Sequence, residues 1–134
     1  MNITSFSDLL LAAKLQPEPQ RLLFVFAGAE LPDTASPEQR AQFANGEGGE
    51  LKPLMCVDKA LEEVPHFEAL AAEASEAGPP WTLVFTTALS GRAGVMPTPL
   101  DAQAPLQHMV DSIKAGRLDG MLPFNQHGEP VHFA

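Results

Sequence analysis

Behind Ser5 the apolar residues Phe6, Leu9, Leu10 and Ala13 recur at helical spacing, and Ser5-Phe6-Ser7-Asp8 has the spacing of a capping box. Together they predict a first helix running to about Leu15, which Pro17 and Pro19 then stop. Residues 22–27, Leu-Leu-Phe-Val-Phe-Ala, contain no polar position and read as a strand buried on both faces. Residues 28–35 are then a loop. Ser36-Pro37-Glu38-Gln39 opens a short second helix, with a capping serine, proline at the first helical position and glutamine at the third, and Asn45-Gly46 closes it. After the Gly-rich 47–49, residues 51–57 form a second strand. A third helix starts near Pro65 and ends at Gly78, with Phe67, Leu70, Ala71 and Ala74 on its inner face, and residues 81–87 form a third strand.

The pattern repeats. Phe6, Leu9, Ala13, Pro19, Leu22, Phe24 and Ala27 recur 61 positions later as Phe67, Leu70, Ala74, Pro80, Leu83, Phe85 and Ala88. Thr98-Pro99-Leu100-Asp101 repeats the cap of 36–39 at an offset of 62, and Gly46, Leu51 and Pro53 match Gly116, Met121 and Pro123 at an offset of 70. The extra residues between cap and strand either lengthen the fourth helix by about two turns or make 99–104 a separate turn, with the helix starting at Pro105. Its stripe is Leu106, Met109, Val110 and Ile113 in both cases. A fourth strand at 120–124, a turn at 125–128 and a short strand at 131–133 end the chain as a hairpin.

The chain is therefore expected to be a single α/β domain, in two or three layers, built from a duplicated helix-strand-helix-strand unit whose copies span about 4–59 and 65–125. Proline lacks the N–H that a central strand donates, so Pro53 and Pro123 put strands two and four outside the all-apolar strands one and three. The sheet order is then 2-1-3-4, with the terminal hairpin strand at one side. Right-handed crossovers throughout would make this sheet parallel and doubly wound, whereas a pseudo-twofold relation between the copies would run strands one and three antiparallel.

Composition narrows the function class. A net charge of −9, with the 8 basic residues scattered, disfavours nucleic acid and anionic membranes as partners. The longest apolar run is far below the roughly 20 residues that a membrane-spanning helix needs. Cys56 is the 1 cysteine, which excludes an internal disulfide and fits a reducing compartment. The N-terminus lacks the basic region and cleavage site of a signal peptide, so a cytoplasmic location is expected.

In a doubly wound sheet of this order, ligands bind beyond strands one and three, at 28–33 and 89–94. Gly28, Glu30 and Asp33 in the first loop and Ser90, Gly91, Arg92 and Gly94 in the second are the candidate ligand-binding residues. The second loop combines a hydroxyl, two glycines that admit close backbone approach and a guanidinium, a set suited to a small carboxylate or phosphate. The alternative is an ordinary surface loop in which Arg92 pairs with Glu30. Neither a Walker A loop nor a dinucleotide fingerprint is present, and no cofactor is expected. Cys56 is either a reactive thiol, activated by Lys59 or a histidine, or a small core residue. His127 and His132, with Glu129 between them, flank the terminal turn, where surface histidines are the simpler account than a metal site, and none is assigned.

Residues 16–26 (Gln-Pro-Glu-Pro-Gln-Arg-Leu-Leu-Phe-Val-Phe), with Met55-Cys56-Val57-Asp58-Lys59 and Leu89-Ser90-Gly91-Arg92, resemble a family of short, uncharacterised bacterial proteins. The similarity spans nearly the whole chain, and members are sometimes labelled "ribonucleotide reductase subunit alpha". The resemblance implies a bacterial cytoplasmic protein. It transfers no catalytic residue, because the chemistry of that label needs a large barrel and several cysteines. The expected function is a non-enzymatic binding or protein-interaction module, homodimeric through a sheet edge or a helix face. The alternative is a small enzyme or anion-binding protein using Arg92, Ser90 or Cys56.

Overall fold

The computed structural model describes residues 3–31, 33–44 and 50–132. The elements run α1 (Phe6–Lys14), β1 (Gln20–Glu30), α2 (Pro37–Ala44), β2 (Glu50–Ala60), a 3-10 turn η1 (Leu61–Glu63), α3 (Phe67–Ala77), β3 (Leu83–Ser90), α4 (Pro99–Lys114) and β4 (Leu122–Asn125). The four strands form one sheet in the order β2-β1-β3-β4, as the two prolines require. Pro53 sits on edge strand β2 at a register shift opposite Ala27. Pro123 sits on edge strand β4 opposite Phe85, and its carbonyl accepts from Val131 N–H, which turns that part of its backbone away from β3.

Every adjacent pair of strands is antiparallel, so the sheet is not doubly wound. The reason is visible in the first connection. Glu30 lies opposite Glu50, so the chain leaves β1 and enters β2 at the same end of the sheet. A parallel crossover would have to travel the full sheet length beneath a packed helix, but α2 has no buried residue with which to cover a sheet face. The closing Asn45-Gly46 and the Gly-rich 47–49 lie outside the described residues.

The alternation of β1 side chains divides the core in two. Leu22, Phe24 and Phe26 face one side, where Phe6, Leu9 and Ala13 of α1 and Phe67, Leu70 and Ala74 of α3 cover them together with Trp81, Val84 and Phe124. Leu23, Val25 and Ala27 face the other side, against Ala102, Leu106, Met109 and Ile113 of α4 and Phe85 of β3. The domain thus has three layers, and Leu22 to Ala27 of β1 are fully buried because both faces and both edges of that stretch are covered. Burying each large apolar side chain of β1 contributes roughly 1.5–3 kcal/mol. Phe6 stands at the centre of the first core, with ring centroids 5.0 Å from Phe67 and 5.2 Å from Phe124, both edge to face.

Three caps form as the sequence predicts. Asp8 N–H donates to Ser5 Oγ at 3.2 Å, Gln39 N–H to Ser36 Oγ at 3.1 Å and Asp101 N–H to Thr98 Oγ1 at 3.1 Å. The Thr98 cap starts a single long α4 that carries Pro105 inside it, so residues 99–104 belong to the helix. The terminal strand at 131–133 reduces to an isolated bridge between Phe124 and Pro130 plus the Val131 bond, Phe133 lying outside the described residues. Among the described residues no helix is long and apolar enough to cross a membrane.

Candidate functional site

The antiparallel pairing of β1 with β3 separates the two candidate loops. Ser90 lies opposite Gln20, at the start of β1, whereas Glu30 is at its far end. Gly28, Glu30 and Asp33 therefore lie at the opposite end of the sheet from residues 89–94 and share no cleft with them. Gly28 and Glu30 extend β1 beyond the predicted strand, and Glu30 pairs with Lys52 at 3.6 Å, not with Arg92. Asp33 contributes its backbone carbonyl to Arg40 at 3.1 Å.

The second loop is well built. Arg92 and Val95 exchange backbone hydrogen bonds, Arg92 N–H to Val95 O at 3.2 Å and Val95 N–H to Arg92 O at 2.9 Å, closing a two-residue hairpin. Its central residues, Ala93 and Gly94, have φ of 50° and 76°. Two positive φ values in succession match the mirror-image turn that suits the twist of paired strands, and alanine is a costly choice at the first of them. The hairpin is held from below. Gly91 N–H donates to Pro19 O at 2.8 Å, and Gly94 N–H donates to the Glu18 carboxylate at 2.9 Å. A side chain at Gly91 would place its Cβ 2.2 Å from Val95 O, so glycine is required by close approach. Ser90 Oγ accepts from Gln20 Nε2 at 3.0 Å, tying the end of β3 to the start of β1.

Between this hairpin and the first turn of α4 lies an open depression of about 440 Å³, bordered by Ser90, Gly91, Arg92, Val95, Met96 and Asp101. Its charges are largely balanced internally. The Asp101 carboxylate accepts from Thr98 N–H at 2.9 Å, and that bond, the Thr98 hydroxyl and then the nearby Arg92 guanidinium hold its pKa below the ordinary aspartate range. The α4 N-terminus is thus already capped by its own carboxylate, and Ser90 is engaged by Gln20.

The same end of the sheet collects apolar side chains that the core leaves out. Val95 on the hairpin and Leu100 in the first turn of α4 are 67% and 73% exposed. Across the end, α1 presents Leu11 at 48% and Leu15 at 63%, beside a groove of about 540 Å³ floored by Leu10, Leu61 and Val64. Four of the five exposed large apolar residues of the described chain therefore lie at this end, Leu122 being the fifth. The sequence carried part of this signal: Leu11 and Leu15 are four apart on the helix face opposite Phe6, Leu9 and Ala13. For Glu18, or for the ion pair in which Nε and Nη2 of Arg21 both lie 2.6 Å from Asp58 Oδ2, it carried none, because the partners meet only through folding.

Cys56 is exposed on edge strand β2, so it is not a core residue. His127 and Glu129 hydrogen-bond locally to Asn125, through His127 N–H to Oδ1 at 2.8 Å and Asn125 Nδ2 to the Glu129 carboxylate at 3.1 Å. Among the described residues no three His, Cys, Asp or Glu side chains converge as metal ligands. Comparison of the chain with family models, with curated proteins and with solved structures gives no match.

Proposed function

We propose that this protein is a non-enzymatic interaction module and that its working surface is the end of the sheet where β1 begins and β3 ends. The observation that carries the reading is the gathering of Leu11, Leu15, Val95 and Leu100 at that end. Large apolar side chains are costly to leave in water, and their concentration marks docking surfaces. The hairpin adds pre-organisation, since a backbone held in place by Glu18, Pro19 and Gly91 loses little entropy when a partner binds. An anion site at Ser90 and Arg92 is the weaker reading, because Asp101 and Gln20 already engage those groups.

The free edge of β2 supports a homodimer poorly. A register shift, Pro53 and the lysines Lys52 and Lys59 are the devices by which edge strands resist pairing.

The test is affinity capture on the native protein beside a Leu15→Ser/Val95→Ser/Leu100→Ser variant whose fold is verified by circular dichroism. A defined partner retained by the parent and lost by the variant supports the surface. Equal retention by both overturns it.

A further inference from the structure

Resting on that reading of the surface, we propose that the partner is taken up as an extended peptide strand, added to the sheet beside Ala88 and Ser90 at the end of β3. β3 spans Leu83–Ser90, but β4 pairs only with its residues 83–86. Ahead of β4 the chain turns at Gly120, with φ of 83°, and no strand of the described residues pairs with residues 87–90 on that side. Backbone groups along an antiparallel strand point alternately to one neighbour and to the other. Gly91 N–H donates to Pro19 O, which fixes the phase: Phe85, Thr87 and Leu89 turn their N–H and C=O to β1, and Val84, Thr86, Ala88 and Ser90 turn theirs outward. Val84 and Thr86 meet Phe124 and Leu122 of β4. Pro123 stands opposite Phe85, where this phase calls for no N–H. Ala88 and Ser90, both exposed, are left with outward N–H and C=O groups unpaired among the described residues.

That row of donors and acceptors identifies the occupant, because another extended backbone offers the complementary row at the same spacing. The stretch is also unguarded. Thr87-Ala88-Leu89-Ser90 holds no charge, proline or bulge, whereas edge strand β2 carries Pro53, Lys52, Lys59 and a register shift. Side chains of the incoming strand meet apolar surface on both faces. A residue opposite Leu89 stands on the α4 side of the sheet, where Leu89, Val95 and Met96 border the open depression. A residue opposite Ala88 falls in line with Leu122, which is 38% exposed at the start of β4. A second copy fits less well than a peptide. In a twofold pairing of two β3 edges, the neighbour's β4 would have to lie where the chain runs on from Ser90 into Gly91 and Arg92, and Gly91 is fixed there by its bond to Pro19.

The experiment titrates the full chain, labelled for amide NMR, with a blocked peptide of alternating valine and threonine carrying a lysine at each end, and with a twin N-methylated at every valine and threonine. Methylation removes the backbone donors and leaves side chains and charge unchanged. The expected result is binding of the first peptide with slowed exchange of the Ala88 and Ser90 amides, and binding of the twin weaker by about tenfold or more. Ala88→Pro deletes one outward donor without touching the ladder to β1, and should weaken binding of the first peptide about tenfold. Equal binding of the twin, or shifts at Leu15, Val95 or Leu100 with exchange at Ala88 and Ser90 unchanged, overturns strand addition and leaves the surface reading intact. No binding, or shifts confined to β2, overturns strand addition too, and the surface reading is then decided by the capture with Leu15→Ser/Val95→Ser/Leu100→Ser. A concentration-dependent dimer that protects the same two amides also overturns the proposal, by making a second copy the occupant.

Discussion

The Glu18 carboxylate accepts the peptide N–H of Gly94 at 2.9 Å, across 76 residues of chain. This one bond joins the segment entering β1 to the tip of the hairpin that leaves β3. Glu18→Ala should therefore loosen the hairpin and lower stability by about 1 kcal/mol, with Glu18→Gln keeping part of the effect. Amide exchange at Gly94 measured by NMR checks it, and unchanged protection there would show that the bond does not hold the turn.

The hairpin backbone gives two opposite expectations. Gly91→Ala forces a Cβ to within 2.2 Å of Val95 O and should cost about 2 kcal/mol or more by displacing the turn. Ala93→Gly relieves a positive φ and should be neutral or stabilising by up to about 1 kcal/mol. Urea unfolding of both variants is the measurement, and the same sign for the two would contradict the geometry.

Thr86 Oγ1 is buried on β3 without a hydrogen-bond partner among the described residues. Replacing an unsatisfied hydroxyl by a methyl of the same shape removes a desolvation cost. Thr86→Val should raise stability by about 1 kcal/mol, read as an increase in Tm, and a lower Tm would mean that the hydroxyl has an unseen partner.

Arg21 and Asp58 lie on the α4 side of the sheet with side chains 11% and 22% exposed. Asp58→Ala strands a largely buried guanidinium and should cost about 2–3 kcal/mol, whereas Arg21→Met/Asp58→Leu should recover most of that loss. A double-mutant cycle by denaturant unfolding measures the coupling, and additive single losses would show the pair to be idle.

Acid should weaken two helix starts together. Asp8 is held below the ordinary 3.8 chiefly by the backbone N–H and hydroxyl of Thr4, and Asp101 chiefly by those of Thr98. A lowered folded pKa means that the stabilisation from each cap is complete above the ordinary value and is lost as pH falls through the lowered one. Asp8→Asn/Asp101→Asn should flatten the dependence of Tm on pH in that acid window and leave its slope above about pH 5 unchanged.

Much of this architecture could be read along the chain. Phe6, Leu9 and Ala13, and Phe67, Leu70 and Ala74, are the buried stripes of α1 and α3, because helical spacing alone aligns them. Pro53 and Pro123 marked the edges, because a missing N–H is a property of the residue itself. The candidate site was half legible. Arg92, Ser90 and Gly91 do border a depression, but Glu30 and Asp33 lie at the opposite end. The exposure of Cys56 was not legible, since burial on an edge strand depends on what packs over it.

Periodicity, capping side chains and proline chemistry within short windows give four helices, four strands and the order 2-1-3-4, while leaving the start of α4 open between Pro99 and Pro105 and placing at 131–133 a strand that is only a bridge. Only the tertiary structure decided the direction of the strands, and with it which residues meet. The direction of β2 rests on Glu30 returning beside Glu50, and that of β3 on Ser90 settling beside Gln20, both long-range pairings that no local pattern encodes. Those pairings sent Gly28, Glu30 and Asp33 to one end and brought Leu15, Glu18, Arg92 and Val95 to the other.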